Sequence, residues 1–587
     1  MMQTAEPART VIHIDVGTVN TRVCLFDFNG RDYVFTGAAS AATTGSEPGE
    51  SEYAGAMEAM RKLELAIKRK FLDRNGDFVI PATLDGAGVD QVSLAYTCTG
   101  QRQIALMGLT RQGSLQRLRT LLNRFGIRPV AEICAADGKD LCENLDTLLN
   151  ADPRLVLLSG GTDDGAEKAV YRLAEVLLMA CKSLPGEQRP DILFMNSANG
   201  KKQIEKVFSK VTENSFAPNI LENGSGGNSP LNAFVSALRK VDERQAPGLK
   251  ELRERASAAI IPGEFSFGRS IRLMSRLMKE NRYVLGVDIG AEHTILASAI
   301  NLELNMNVLP LGTGRKIQNL LDHFPLSDLQ AWIGFQIKET EVQDYICNKS
   351  VYPDLVPANR FSAHIEQALT RFILRKGAEE TGLAEILSGG QLGYVLLCGA
   401  VMRNVEDPGD ALLMAMDGLH PSGIVDYGLD MNGLASAIGS LAHLNPRLTS
   451  QIMNAATFLT LGKVITPVLR QDALKIKDGK KLLTVSIRDD GGSVRKYEIP
   501  RGRIFRIPLE YGRNYEMDWV SVPRGVEIPG ARIWTPLGFK SGCFGIVFDT
   551  RDVRNGKITL PEDRTSQIGR LKYWREELGP WVSSEEP

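Results

Sequence analysis

The stretch Val11–Leu25 reads VIHIDVGTVNTRVCL, and Val284–Ser298 reads VLGVDIGAEHTILAS. Each is an apolar run, then Asp-x-Gly, a turn, a threonine and a second apolar run. The two aspartates, Asp15 and Asp288, lie 273 positions apart, a spacing of domain size. β-Formers on either side of a glycine turn predict a strand–turn–strand hairpin in each copy. Glycine in such a turn lets a ligand approach the backbone, and turn amides with nearby hydroxyls can cradle phosphate oxygens. A carboxylate at the strand end offers Mg2+ a hard oxygen, directly or through water. One Asp-x-Gly is ordinary turn chemistry. Two in matched contexts point to facing hairpins that grip one triphosphate from both sides.

Outward from the first copy, Asn29-Gly30 signals a turn into a third strand at Tyr33–Thr36. Ala54–Arg74 follows as a helix, with Met57, Met60, Leu63 and Ile67 on one face. Between about 90 and 240, apolar runs (Ile104–Leu109, Leu155–Leu158, Ile192–Met195) alternate with amphipathic segments (Ser114–Phe125, Glu167–Ala180, Lys201–Ser209). That alternation predicts a parallel α/β sheet. Outward from the second copy, 315–445 is mainly helical around the strand Tyr394–Cys398, and 474–548 holds short β runs separated by Asp-Gly turns. A charged helix at Pro561–Leu578 closes the chain and is expected to pack on that β region.

The expected architecture is α/β: two RNase H-like lobes, a Rossmann-like α/β insert and a C-terminal β domain. The first lobe begins at 1–85, the insert is 86–245, the second lobe with a helical subdomain 246–460, the β domain 461–560, and the helix and tail 561–587.

The 587 residues exceed one hydrophobic core. With 69 basic and 70 acidic residues the net charge is -1, so no overall attraction to nucleic acid or anionic membrane follows. Eight scattered cysteines without a CxxC pair argue against zinc and a disulfide framework. No run reaches the ~18–20 apolar residues of a membrane span. A cytoplasmic location is the expectation. The six histidines show no HExxH pattern, and no GxSxG occurs. Ser159–Gly165 (SGGTDDG) follows a strand where open α/β sheets place ligands; a helix-capping βα turn is the plainer account. Asn223–Pro230 (NGSGGNSP) lacks the Lys-Ser/Thr of a P-loop and reads as a loop.

Asp15-Val-Gly17-Thr18-Val-Asn20-Thr21-Arg22 resembles the first phosphate hairpin of the actin/Hsp70/sugar-kinase superfamily, and Asp288-Ile-Gly290-Ala-Glu-His-Thr294 resembles the second. Gly399-Ala400, after YVLLC, stands where that fold has its adenosine-binding glycine turn. Within the superfamily the chain is similar to the MutL family named for glutamate mutase, which is unrelated to the mismatch-repair protein of that name. Leu157–Gly165 is similar to that family's LAGGTDGG stretch, Gln343–Pro357 to its NKA-type segment, and Asp407–Leu419 with Pro421–Gly439 to the region after the adenosine turn. Phe548–Arg551 and Leu560–Asp563 resemble the close of its longer members.

The resemblance implies ATP and Mg2+ as cofactors. Asp15 and Asp288 would hold the metal through water. Gly17, Thr18, Asn20, Thr21, Arg22, Gly290 and Thr294 would surround the phosphates, with Gly399 and Ala400 under the adenosine. It implies a factor that accompanies a cobalamin-dependent mutase such as glutamate mutase, as an ATPase with a reactivating or chaperone-like task. The second hairpin departs from the family's DIGGATTD at Ala291, Glu292, His293 and Ile295, which leaves hydrolysis open. A non-hydrolysing nucleotide-binding scaffold that self-assembles or binds a protein partner is the alternative. A small-molecule kinase is weaker, because no catalytic aspartate with a substrate pocket is evident.

Overall fold

Thr10–Val16 (β1), Asn20–Phe28 (β2) and Tyr33–Ala42 (β3) form an antiparallel meander, and Gln91–Tyr96 (β4) joins β1 in parallel. This is a computed structural model, and it describes residues 8–45, 51–83, 85–160, 167–195, 201–220, 229–278, 281–454, 457–551, 553–554 and 557–580. The chain divides into two compact units, Met1–Ser266 and Phe267–Pro587.

Strand alternation decides which face of the first sheet is dry. Ile12, Ile14 and Val16 of β1 and Val23 and Leu25 of β2 pack on Met57, Met60 and Leu63 of the helix Glu52–Ile67 (α1). That helix is shorter than its apolar pattern suggests. It stops at Lys68, in the left-handed region at φ 57. There the Glu64 carboxylate accepts the amides of Phe71 (2.6 Å) and Leu72 (2.9 Å) and turns the chain out of the helix.

The insert is a fully parallel sheet of Ile104–Gly108 (β5), Ala131–Cys134 (β6), Leu155–Ser159 (β7), Asp191–Met195 (β8) and Asn214–Ala217 (β9), in the order β6-β5-β7-β8-β9. Its three central strands, β5, β7 and β8, are buried on both faces, as near-continuous apolar runs require. Gln116–Asn123 (α2) and Pro230–Gln245 (α6) cover one face. Leu141–Ala151 (α3), Glu167–Ser183 (α4) and Lys201–Phe208 (α5) cover the other. The chain then returns through Pro247–Arg255 (α7) to Ala259–Pro262 (β10), parallel to β4. The first sheet therefore has the order β10-β4-β1-β2-β3. β4 and β10 belong to it, although the pattern alone put 91–96 in the insert and 259–262 in the second lobe.

The second unit repeats this plan. Tyr283–Ile289 (β11), Thr294–Ile300 (β12) and Glu303–Leu309 (β13) are antiparallel, and Leu392–Gly399 (β14) and Gly423–Leu429 (β15) add in parallel beyond β11. Both sheets thus run third, second, first, fourth, fifth strand, the RNase H-like order. Leu459–Thr466 (β16) extends the second sheet antiparallel to β15.

The strands between 468 and 549 are divided among three sheets, one of them a two-stranded pair. Beyond Val468–Leu469 (β17) come Lys481–Asp489 (β18), Val494–Pro500 (β19), Ile504–Ile507 (β20), Asn514–Ser521 (β21), Val526–Glu527 (β22), Leu537–Lys540 (β23) and Ile546–Asp549 (β24). A separate sheet exists, in the order β19-β18-β21-β23, but β24 and β20 continue the second lobe's sheet past β16. Ile546 and Phe548 share one core with Ile424 and Ile465 of the lobe and with Leu483 and Val485 of the small sheet. The closing helix, Arg564–Leu578, packs on the β region as expected, against Ile504–Ile507, where the Ile504 amide donates to the Glu577 carboxylate (3.0 Å). It also enters the helical core of the second unit. Its Trp574 and Leu578 are buried with Trp332, Leu412 and Phe544 in the helical core of the second unit. Among the described residues no helix is long and apolar enough to cross a membrane.

Candidate functional site

The two Asp-x-Gly segments form the same hairpin. In the first, Asp15 pairs with Arg22 and Val16 with Thr21. In the second, Asp288 pairs with Ile295 and Ile289 with Thr294. Gly17 donates its N–H to the Asn20 carbonyl (3.1 Å), and Gly290 donates to the His293 carbonyl (2.9 Å). A Cβ on Gly17 would lie 2.7 Å from the Asn20 oxygen, so the turn closes only around glycine. The carboxylates sit at equivalent strand ends, each half-buried.

Each hairpin is braced by the chain that follows the third strand of its sheet. Thr43 donates its N–H to the Val19 carbonyl (2.8 Å), and the Thr21 and Thr43 hydroxyls share a hydrogen bond of 2.9 Å. In the second unit the amides of Thr313 and Gly314 bond the carbonyls of Gly290 (3.0 Å) and Ala291 (2.8 Å), and Thr294 Oγ1 donates to the Leu311 carbonyl (2.8 Å). Thr21 and Thr294 are both 0 % exposed. Their hydroxyls are engaged inside the protein, where they shape the turn. The brace Leu311–Gly314 (LGTG) escaped the motif reading. Its Gly-Thr-Gly was the available signal, and only the sheet topology sets it against the hairpin.

Three of the four unusual residues of the second hairpin have an accommodation. Ala291 turns its methyl toward Gly314, where a side chain would come within 2.7 Å of it. Glu292 lies 3.5 Å from Arg315, which offsets its charge. Ile295 is buried with Ala297, Val284 and Phe267.

Strand pairing brings the glycine turn after β14 to the second hairpin. Asp288 pairs with Cys398 and Ile289 with Gly399. Gly399 has φ 99, and a Cβ there would lie 2.2 Å from the Ile289 oxygen, so the two strand ends meet only through glycine. Ala400, exposed, begins the short helix Ala400–Arg403. Burial drives the Cys398 thiol far above its ordinary pKa, and the carboxylates of Asp430 and Asp288 add to this. The thiol stays neutral and is no nucleophile. Asp430 was not anticipated. It is buried just beyond β15, and its carboxylate accepts the amides of Leu434 (2.9 Å) and Ala435 (2.8 Å).

These residues fit a Mg-nucleotide in two respects. Arg22 Nε, across the ladder from Asp15, is buried without a hydrogen-bond partner among the described residues, a donor that an anion would satisfy. Among the described residues no group of three or more His, Cys, Asp or Glu forms a cage. Single aspartates suit Mg2+, which keeps water and takes phosphate oxygens beside one or two carboxylates. Asp15, Gly17, Thr18, Asn20, Thr21 and Arg22 are together in one hairpin. Asp288, Gly290, Thr294, Gly399 and Ala400 cluster at adjoining strand ends of the other unit. Residues 161–165 of the SGGTDDG turn, and 223–228 of NGSGGNSP, lie outside the described residues.

A family model described as "MutL protein" matches residues 11–457, spanning both hairpins, the insert and the glycine turn. The chain belongs to the MutL family. This bears out the resemblance carried by the hairpins, and with it the actin-like ATPase fold that the two RNase H-like sheets display. The match ends before the C-terminal strands, so the likeness at Phe548–Asp563 lies beyond it. No curated protein matches this chain. Among solved structures it is similar to acetone carboxylase in a nucleotide-free structure, at 11% identity over 84% of this chain and 81% of that one, TM-score 0.34. It is also similar to gluconate kinase from Lactobacillus acidophilus, at 11% over 78% and 94%, TM-score 0.32. A third is the activator of 2-hydroxyisocaproyl-CoA dehydratase from Clostridium difficile with bound ADPNP, at 11% over 76% and 97%, TM-score 0.28.

Proposed function

We propose that this MutL-family chain binds Mg-ATP through its two Asp-Gly hairpins and serves as an accessory or reactivating factor for a cobalamin-dependent mutase such as glutamate mutase. The observation that carries the nucleotide reading is the duplicated hairpin: the same Asp–Gly–Thr register recurs on the first two strands of two RNase H-like sheets. Asp15 and Asp288 hold Mg2+ through water. Gly17 and Gly290 keep the turns tight so that backbone amides meet phosphate oxygens, with Thr18, Asn20 and Arg22 beside them. Thr21 and Thr294 set the turn shape. Gly399 and Ala400 lie under the adenosine. Bound Mg2+ would neutralise triphosphate charge. The mutase partner rests on family membership.

A second reading, a nucleotide-binding scaffold without turnover, is favoured by Ile295, an apolar buried residue where the family has an acid. Calorimetric titration of Mg-ATP into wild type and Asp15→Ala, with phosphate release followed in parallel, tests both. Binding lost in the variant together with turnover in wild type supports the ATPase. Binding without turnover supports the scaffold. No binding at millimolar Mg-ATP removes the nucleotide reading.

A further inference from the structure

We propose that the insert carries a second anion site, at the carboxyl ends of β5 and β7, for the phosphate group of a small metabolite or of free phosphate. It is independent of the hairpins. In the order β6-β5-β7-β8-β9, the chain leaves β5 through α2 toward β6, and leaves the adjacent β7 through α4 toward β8. α2 packs on one face, with Leu118 and Leu121 against Leu106 and Leu157. α4 packs on the other, with Leu173 and Leu177 beside Val156 and Leu158. The carboxyl ends of two such neighbouring strands are the place where open α/β sheets take ligands.

The described residues at these strand ends are particular. Gly108 and Ser159 are register partners at the two strand ends. Alternation puts Ser159 on the face of Leu155 and Leu157, the face that α2 covers. A Cβ on Gly108 would lie 2.6 Å from Ser114 Oγ, so the missing side chain lets the helix start settle on the strand end. Ser114 Oγ in turn accepts the amides of Leu109 (2.8 Å) and Thr110 (3.3 Å).

The helix opens with a π turn, Arg111–Leu115, and continues through α2 to Asn123. Its first bond runs from the Leu115 amide to the Thr110 carbonyl (3.2 Å). Thr110, at the cap, makes no side-chain capping bond. The amides of Arg111, Gln112 and Gly113 therefore precede the first intrahelical bond and point out of the helix start. The exposed Arg111 guanidinium is oriented by a two-point pair with Asp137 (2.9 and 2.7 Å). On that same face Ser159 Oγ is 0 % exposed and, among the described residues, has no hydrogen-bond partner. A buried hydroxyl without a partner is unfavourable, and an anion seated on the helix start would accept its proton. Three amides, a guanidinium and a hydroxyl suit the oxygens of a phosphate.

The test is hydrogen–deuterium exchange of the full chain with inorganic phosphate or AMP at millimolar concentration. Protection of peptides covering 109–116 is expected, unchanged in Asp288→Ala and weakened about tenfold in Ser159→Ala and in Arg111→Ala. Stronger protection by AMP than by phosphate assigns a phosphorylated metabolite, and equal protection assigns free phosphate. Ser159→Ala removes an unpaired hydroxyl, so it should fold at least as stably as wild type. No protection by either probe, or undiminished protection in Ser159→Ala, overturns the proposal. Loss of Mg-ATP binding at the hairpins would leave this result untouched.

Discussion

Gly314 lies against Ala291 so closely that a Cβ on Gly314 would come 2.7 Å from the Ala291 methyl, while its amide donates to the Ala291 carbonyl at 2.8 Å. The same Cβ would meet Pro353 Cβ at 2.8 Å. The methyl that distinguishes this hairpin from its family's DIGG is thus housed by a glycine on the neighbouring loop. Gly314→Ala should overpack the turn, cost about 1–3 kcal/mol of stability and weaken Mg-ATP binding. Adding Ala291→Gly removes one of the two clashes and should recover part of both losses. Urea unfolding and calorimetry on the single and double variants measure the coupling. Strictly additive effects would count against the packing account.

The hairpins were legible because they depend on nearest neighbours: strand, glycine turn and strand within fifteen residues. The family resemblance and the parallel insert were legible on the same local grounds. What the pattern missed is set by partners distant in sequence. Ala259–Pro262 is a four-residue strand whose only claim to the first sheet is its pairing with Ser93–Tyr96. Ile504–Ile507 and Ile546–Asp549 look like their β neighbours, yet pair into the second lobe. Asp430 gave no motif, since a buried capping carboxylate is identified by the amides it accepts.

His13 should make the first lobe sensitive to acid. It is fully buried on β1, with Nδ1 2.8 Å from Ser93 Oγ, and burial lowers its pKa from the usual 6.5 to about 3. Above pH 6.5 the ring is neutral folded and unfolded, and the full stability is present. As pH falls below 6.5 the unfolded chain takes up a proton that the folded chain refuses. Stability then drops by about 1.4 kcal/mol per pH unit from this group until pH approaches 3. Urea midpoints at pH 7 and pH 5, in wild type and His13→Asn, should show the slope shrinking in the variant. An unchanged slope would assign the acid sensitivity elsewhere.

Arg102 fastens the insert to the first lobe. It stands just before β5 and reaches Asp242 near the end of α6 (3.0 Å) and Glu264 (3.2 Å), while Tyr96 of β4 also donates to Asp242 (2.9 Å). All four side chains are buried, and burial already raises the Asp242 pKa despite the arginine. Arg102→Met would leave two carboxylates without a counter-charge and should cost about 3–5 kcal/mol. Exchange protection should fall in peptides on both sides of the junction, 91–108 and 230–245. Loss confined to the immediate site of the change would mean the junction is held by packing alone.

Arg551 holds the C-terminal segment to the helical core by a buried chain of charges. Its guanidinium bonds Asp549 twice (2.8 and 2.7 Å) and Asp417 once (2.7 Å), and Arg371 closes on Asp417 from the other side (2.7 Å). The ring of Trp574 lies 4.6 Å from the same guanidinium, and Trp574 is buried beside Phe544 and Leu412. The closing helix therefore completes a core whose other walls are Arg360–Glu380 and Pro408–Leu419. Trp574→Ala should remove both the aromatic packing and the cation–π contact, for a loss of about 3–5 kcal/mol. The decisive reading is where exchange increases. Deprotection of 360–380 and 408–419 is expected, because those helices lose a wall. Deprotection of 564–578 alone would show the helix to be an appendage on a core already complete.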